Sequence, residues 1–365
     1  MLTKQTFLKQ LKKLVAFETL TDDKGENKKA LEYVVSLVDK RVKIKLLENS
    51  GKWILLAGNK DLKIPDVGYV VHMDVVSADK KLFKMKVEGG KAYGRGVSDM
   101  KFSIPIGVAL LNELIDSNLA FTILITTDEE VGGFDGVDYL VKKKLFLPKV
   151  LLVPDGGDNF IFIEKAKGVC QVMVEALGKS AHASRPWEGK NALESITKLT
   201  NLLLDRYGKN NKKETWKTTM NIGQIKGGES TNQVCDEAVV KFDFRYPETD
   251  SEERILSEVK KLAKSIDPKM KVKPTSSGMP TFTDASSSVV KLFLKSLNEV
   301  KGIRVKIGQA YGASDARHFS KFKTPVLMTK PVGGGVHCED EWVSINSCMT
   351  YYQGLRRFLE NLNRK

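Results

Sequence analysis

The chain reads as an α/β protein: a mainly parallel sheet with helices packed on it, interrupted by a smaller α+β insertion. Three features predict this. Short apolar runs at 67–71, 121–127 and 150–153 are separated by helical patterns, the rhythm of βαβ units. From about Lys167 the order becomes strand, helix, strand, strand, helix, strand, the split-βαβ arrangement of ferredoxin-like domains. After about residue 280 the pattern returns to helix, strand and helix. The expected organisation is therefore a discontinuous domain of 1–167 and 281–365 with 168–280 inserted in it.

Each element follows from local pattern. Lysines set among Leu2, Phe7, Leu8, Leu11, Leu14 and Val15 give an amphipathic helix over about 4–17, and a second covers 27–38. Strands follow at 42–47, 53–57 and 67–71, then a hairpin-like stretch at 83–93. A helix from about Ser103 to Asp116 tolerates Pro105 in its first turn. The strand 121–127, helix 136–144 and strand 150–153 complete the βαβ pattern. In the insertion, strands are expected at 168–177, 218–226, 234–245 and 271–274, with helices at 191–207 and 251–265.

Composition excludes several classes. At 365 residues, with 41% hydrophobic and 28% charged residues, the chain is ordinary globular material, and two domains are the better expectation. No run of some eighteen apolar residues exists, so no membrane span is expected; nor is there a signal-peptide stretch, and a cytoplasmic protein follows. The four cysteines, Cys170, Cys235, Cys338 and Cys348, form no Cys-x-x-Cys pair or disulfide framework. Three read as small buried hydrophobes. Cys338, next to His337, would point away from it if both lay on a strand. A net charge of +14 invites a nucleic-acid partner, but the lysines are dispersed and no basic-aromatic block or DNA- or RNA-binding signature is present. A solvated lysine-rich surface is the reading, with anionic substrates drawn toward it. Gly178-Lys179-Ser180 lacks the earlier glycine of a P-loop, and no Gly-x-Ser-x-Gly elbow exists.

The chemistry concentrates in five separate segments: His72-Met73-Asp74, Asp99-Met100-Lys101, Asp128-Glu129-Glu130, Pro154-Asp155-Gly156 and His337. Three directly follow the predicted parallel strands, and ligands collect beyond the carboxyl ends of such strands. Each alone has a plain alternative: a turn aspartate, a helix cap at Asp99, a loop histidine at His337. Together, carboxylates brought so close would repel and take up protons unless cations sat among them. The five segments thus read as one site for two metal ions, and hence a metallohydrolase. His72 would be a ligand with Asp74 orienting it. Asp99 would bridge, Glu130 coordinate, and Glu129 stay free to accept a proton from water. Two divalent ions, three carboxylates and a bridging hydroxide sum to a neutral cluster; two imidazoles with carboxylates suit zinc, with cobalt or manganese as substitutes.

The segments VVHMDVV, YGRGVSDMK, TTDEEVGG, VPDGG, GKSAHASRPWEGKNA, TNQV, FDFRYP, GASDARHF and GGGVHCEDEWV, in this order, resemble the M20 family of zinc amidohydrolases, which includes desuccinylases, deacetylases, carboxypeptidases and aminoacylases. The resemblance implies a catalytic α/β domain holding two zinc ions and a ferredoxin-like lid domain that forms a homodimer. By motif, His72 and Glu130 would bind separate zincs with Asp155 and His337, Asp99 would bridge them, and Glu129 would be the general base. His182 would reach the partner subunit's site and stabilise the oxyanion. Arg245 would grip a substrate carboxylate, with Asn232 and Gly312 lining the pocket. His318 reads as structural. The family's glycine after Asp-x-Lys is replaced by Phe102, which either crowds the site or resets helix packing. The implied reaction is amide hydrolysis of an N-acyl amino acid or small peptide with a free carboxylate. The alternatives are a dipeptidase or aminopeptidase of the same family, or an inactive binding relative.

Overall fold

A computed structural model describes residues 1–364, which divide into two compact units: 1–165 with 282–310 and 314–364, and 166–281 with 311–313. The first unit is built on a six-stranded sheet. Its central strands Phe121–Thr126, Val67–His72 and Val150–Leu152 are adjacent and parallel, and Val326–Leu327 extends them in parallel. The hairpin Lys43–Asn49 and Lys52–Gly58 closes the other edge antiparallel. Both Val67–His72 and Phe121–Thr126 are buried at every residue, which is why they read as continuous apolar runs without alternation.

The helices cover this sheet with apolar stripes. Lys4–Val15 starts at Thr3, whose side chain accepts from the Thr6 N–H, and it buries Phe7, Leu11, Leu14 and Val15. Each such fully buried side chain contributes roughly 1.5–3 kcal/mol. Ser103–Glu113 and the C-terminal Ile345–Asn363 join the same core. A further sheet was only half legible from sequence. The hairpin Lys86–Glu88 and Lys91–Tyr93 continues into Trp342–Ser344 and then Gly333–Gly334, all antiparallel. Register pairs Trp342 with Tyr93, so two segments some 250 residues apart share one ribbon.

The second unit has the strand order Thr219–Gly227, Glu237–Tyr246, Gly168–Leu177, Lys271–Gly278, all antiparallel. Helices Ala192–Tyr207 and Glu252–Ile266 bury Ile196, Leu199, Leu203, Ile255 and Val259 with Val172, Val174 and Phe242. This is the split-βαβ topology. Lys271–Gly278 runs four residues beyond its expected end at Pro274, because a register shift there lets pairing resume at Ser276. Among the described residues no helix is long and apolar enough to cross a membrane.

A candidate metal centre at the ends of three parallel strands

Adjacent parallel strands release three acidic or imidazole-bearing turns side by side. His72 is the last residue of its strand and pairs in register with Thr126, so Asp128 to Glu130 leave the neighbouring strand at the same level. Asp155 follows Val150–Leu152 on the other side. His72 is 1% exposed, and its Nδ1 lies 2.9 Å from the Asp74 carbonyl. A proton on Nδ1 donated to that carbonyl leaves the Nε2 lone pair available to a ligand. Nε2 lies 3.2 Å from Asp99 Oδ1.

Asp74 thus orients His72, but chiefly through its backbone. Its carboxylate is 3.5 Å from Nδ1, too long for a strong bond, and is engaged elsewhere. It accepts from the Glu129 and Glu130 N–H groups, both at 3.2 Å, and from Thr21 Oγ1 at 2.8 Å. One aspartate therefore sets both the imidazole and the acidic turn.

Asp99 does not cap the following helix, whose first turn carries no side-chain cap. Its two oxygens diverge: Oδ1 faces His72, while Oδ2 lies 3.3 Å from His337 Nε2. His337 Nε2 is also 3.2 Å from Glu130 Oε2. Donor atoms of His72, Asp99 and Asp155 all fall within 4.8 Å of one another, and so do those of Asp99, Glu130 and His337. The structure therefore brings five predicted residues into two groups that share Asp99. His337 reaches this place from a turn, with its φ at 63° directly after Gly335 at 67°. Since His337 is not on a strand, strand alternation does not govern Cys338. That thiol is exposed and belongs to neither group, whereas Cys170, Cys235 and Cys348 are buried.

The electrostatics suit a site for cations. Burial, then the neighbouring Asp155, holds the Glu129 carboxyl well above its usual range. Burial, then Asp99, pushes Asp155 up to about 7. Glu130 is raised mainly by burial, with His72 opposing. Burial also acts to raise Asp99, but the imidazoles of His337 and His72 outweigh it and hold that carboxylate ionised. His72 is raised in turn: burial opposes its charge, and Asp74 and Asp99 prevail. Buried acids crowded together, around one ionised carboxylate facing both groups, form a donor set suited to divalent cations with nitrogen and oxygen ligands.

The remaining predicted residues lie in the second unit. His182 is exposed, with Nδ1 2.7 Å from Ser184 Oγ. The Ala183 N–H donates to the Asn232 carbonyl at 2.9 Å, so His182 and Asn232 share one paired loop. Arg245 is held in a fork by Asp243, at 2.7 and 3.0 Å, and lines a pocket of about 540 Å³ with Asn210, Asn211 and Tyr311. Gly312 is exposed, and a Cβ there would meet nothing within 4 Å, so no packing demands glycine.

Several residues escaped the sequence reading. Glu341, 1% exposed, accepts from the Gly96, Ser98 and Asp99 N–H groups and from Arg95. Its only signal was an acid beside a short apolar run, shared with its exposed neighbours Glu339 and Asp340. Lys330, 5% exposed, pairs with Asp158 at 3.1 Å on the Asp99 and Asp155 side. Arg317 and His318 both bond the Gly132 carbonyl, at 2.5 and 3.1 Å, and so pin the turn bearing Glu129 and Glu130. That gives His318 the structural part expected of it. Asp128 folds back to accept from the Asp135 and Gly136 N–H groups. Phe102 is fully buried with its ring edge-on to Tyr351, in the core. Lys101, two residues after Asp99, is fully buried and donates to the Leu14 and Phe17 carbonyls at 3.1 and 2.9 Å.

The model of peptidase family M20/M25/M40 matches residues 68–361. The chain is 26% identical to succinyl-diaminopimelate desuccinylase of Wolinella succinogenes, over 81% of this chain and 80% of that one. It is 26% identical to the enzyme of that name from Rickettsia bellii, over 97% and 96%. In fold it is similar to a tripeptidase of Staphylococcus aureus (TM-score 0.80, 21% identity, 100% of both chains). It is equally similar to an M20 family metallo-carboxypeptidase of Sulfolobus solfataricus (TM-score 0.81, 18% identity, 98% and 99%). A match that runs from the His72 strand to the C-terminal helix takes in every residue of the two donor groups, and on it the chain belongs to peptidase family M20/M25/M40 and is a metal-dependent hydrolase.

Proposed function

We propose that this chain is a two-zinc amidohydrolase that removes the acyl group from an N-acyl amino acid bearing a free carboxylate. The observation that carries the two-metal reading is the divergence of the Asp99 oxygens toward His72 and His337. His72, Asp155 and Asp99 would hold one cation, and Glu130, His337 and Asp99 the other, with cobalt or manganese as substitutes. When bound, the cations supply Lewis acidity toward the scissile carbonyl and acidify the attacking water. Glu129 takes the proton from that water and delivers it to the leaving amine. Its position on the turn fixed by Asp74 keeps it beside the ligands without being one of them.

Arg245 is assigned to the substrate carboxylate through its Nη1–Nη2 edge, since its Nε and Nη2 already hold Asp243, with Asn232 and Gly312 lining that part of the site. His182 is assigned to the oxyanion, supplied by a second copy of the chain in a homodimer formed through the inserted domain. The relatives named desuccinylase support a deacylase. The test is a panel of succinyl- and acetyl-amino acids, dipeptides and tripeptides, assayed with zinc, cobalt or manganese while metal content is measured. About two metals per chain with turnover of acyl-amino acids is the expected result. Turnover of peptides alone would make it a peptidase, and a chain that takes up no metal would be the inactive relative.

A further inference from the structure

Glu341 is, like Asp74, an acid held close to the centre without being part of it. It is buried, belongs to neither donor group, and its two oxygens are fully engaged. Oε1 accepts from the Ser98 and Asp99 N–H groups at 2.8 and 3.0 Å. Oε2 accepts from the Gly96 N–H at 2.9 Å and from Arg95 Nη1 at 2.8 Å. Its own carbonyl accepts from the Gly94 N–H at 3.2 Å. The turn 94–99 is thus wrapped around one side chain, and the last amide in the wrap is that of Asp99.

Arg95 carries the connection further. It is 3% exposed, and while Nη1 meets Glu341, Nη2 donates to the His337 carbonyl at 3.2 Å. His337 sits in a left-handed turn after Gly335, a conformation disfavoured for a side chain with a Cβ and held only by its surroundings. Removing one partner of an ion pair buried this deeply leaves an uncompensated charge; here both oxygens of Glu341 are hydrogen-bonded, while Arg95 Nε has no partner. A lysine in place of Arg95 could not serve both acceptors with one fixed fork.

The geometry points to Glu341 as the positioning residue for the paired metal site: it fixes the backbone of Asp99 directly and that of His337 through Arg95. This rests on the two-cation reading proposed above. Because Asp99 serves both donor groups and His337 only one, the two links have separable consequences. Glu341→Gln replaces an acceptor oxygen with an N–H₂ that faces N–H donors, which loosens Asp99 and hence both sites. Arg95→Lys keeps a cation for Glu341 and leaves the grip on Asp99, but gives up the arm to His337. It loosens only the site of Glu130 and His337.

The experiment is calorimetric titration of the metal-free full chain with Zn²⁺, together with the absorption spectrum of the Co²⁺-loaded protein. Wild type is expected to bind two ions. Arg95→Lys should bind one at wild-type affinity and the other roughly 10–100-fold more weakly, the range typical when a partner of a metal ligand is removed. Its Co²⁺ spectrum should change for the weakened ion alone. Glu341→Gln should weaken both ions by a comparable factor. Arg95→Lys retaining both affinities and an unchanged spectrum would overturn the proposal, as would equal weakening of both ions in that variant. Fewer than two ions in wild type would instead remove the two-cation reading itself.

Discussion

Replacing Glu129 with glutamine separates base from ligand. The amide is isosteric, and the backbone N–H that anchors the residue to Asp74 is unchanged. None of His72, Asp99, Glu130, Asp155 or His337 is altered, so metal content should stay at the wild-type level. Burial and Asp155 hold the Glu129 carboxyl well above its usual range, so removing its charge also relieves crowding with Asp155 and Asp99. Folding stability should therefore not fall. What is lost is the proton acceptor. Positioned general acid–base groups contribute about 10²–10⁴ in rate, and at 1.36 kcal/mol per decade this is ~3–5 kcal/mol of barrier. The assay is kcat on an acyl-amino acid substrate, with metal per chain measured on the same sample. A Glu129→Gln enzyme with full metal and kcat within tenfold of wild type would refute the reasoning and return the proton transfer to another group.

Three further outcomes follow from the same geometry. Protons and cations compete for the same carboxylates, and Asp155 is pushed up to about 7, so below that pH it holds a proton that metal must displace; apparent Zn²⁺ affinity should be weaker at pH 6 than at pH 8, and chelator competition showing equal affinity would contradict this. His182→Ala removes a proposed oxyanion donor and should lower kcat by about 10²–10³ with metal content intact, whereas a loss of metal would assign His182 a different part. Phe102→Ala opens a cavity against Tyr351 and should cost about 3–5 kcal/mol of stability, read as a lower denaturation midpoint, while metal content stays at two per chain if Phe102 is a packing residue.

Much of this molecule is written locally. The apolar runs before His72, Asp128 and Asp155 determine buried parallel strands, and parallel strands end on the same edge, so three segments of the candidate metal site could be placed together from the sequence. The split-βαβ order of the second unit is equally local, since its two amphipathic helices and alternating strands announce themselves by period. Other features have no local signature. That His337 meets Asp99 depends on a ribbon joining Tyr93 to Trp342, and hairpin-like segments do not name their distant partners. The burial of Glu341 beside two exposed acids, the turning of Lys101 toward the Leu14 and Phe17 carbonyls, and the retreat of Phe102 into the core are set by which neighbour occupies the space. Residue type and spacing determine which chemistry a segment can carry; close packing of segments remote in the chain decides which atoms face each other, because burial and hydrogen-bond partners belong to the assembled fold and not to any stretch of it.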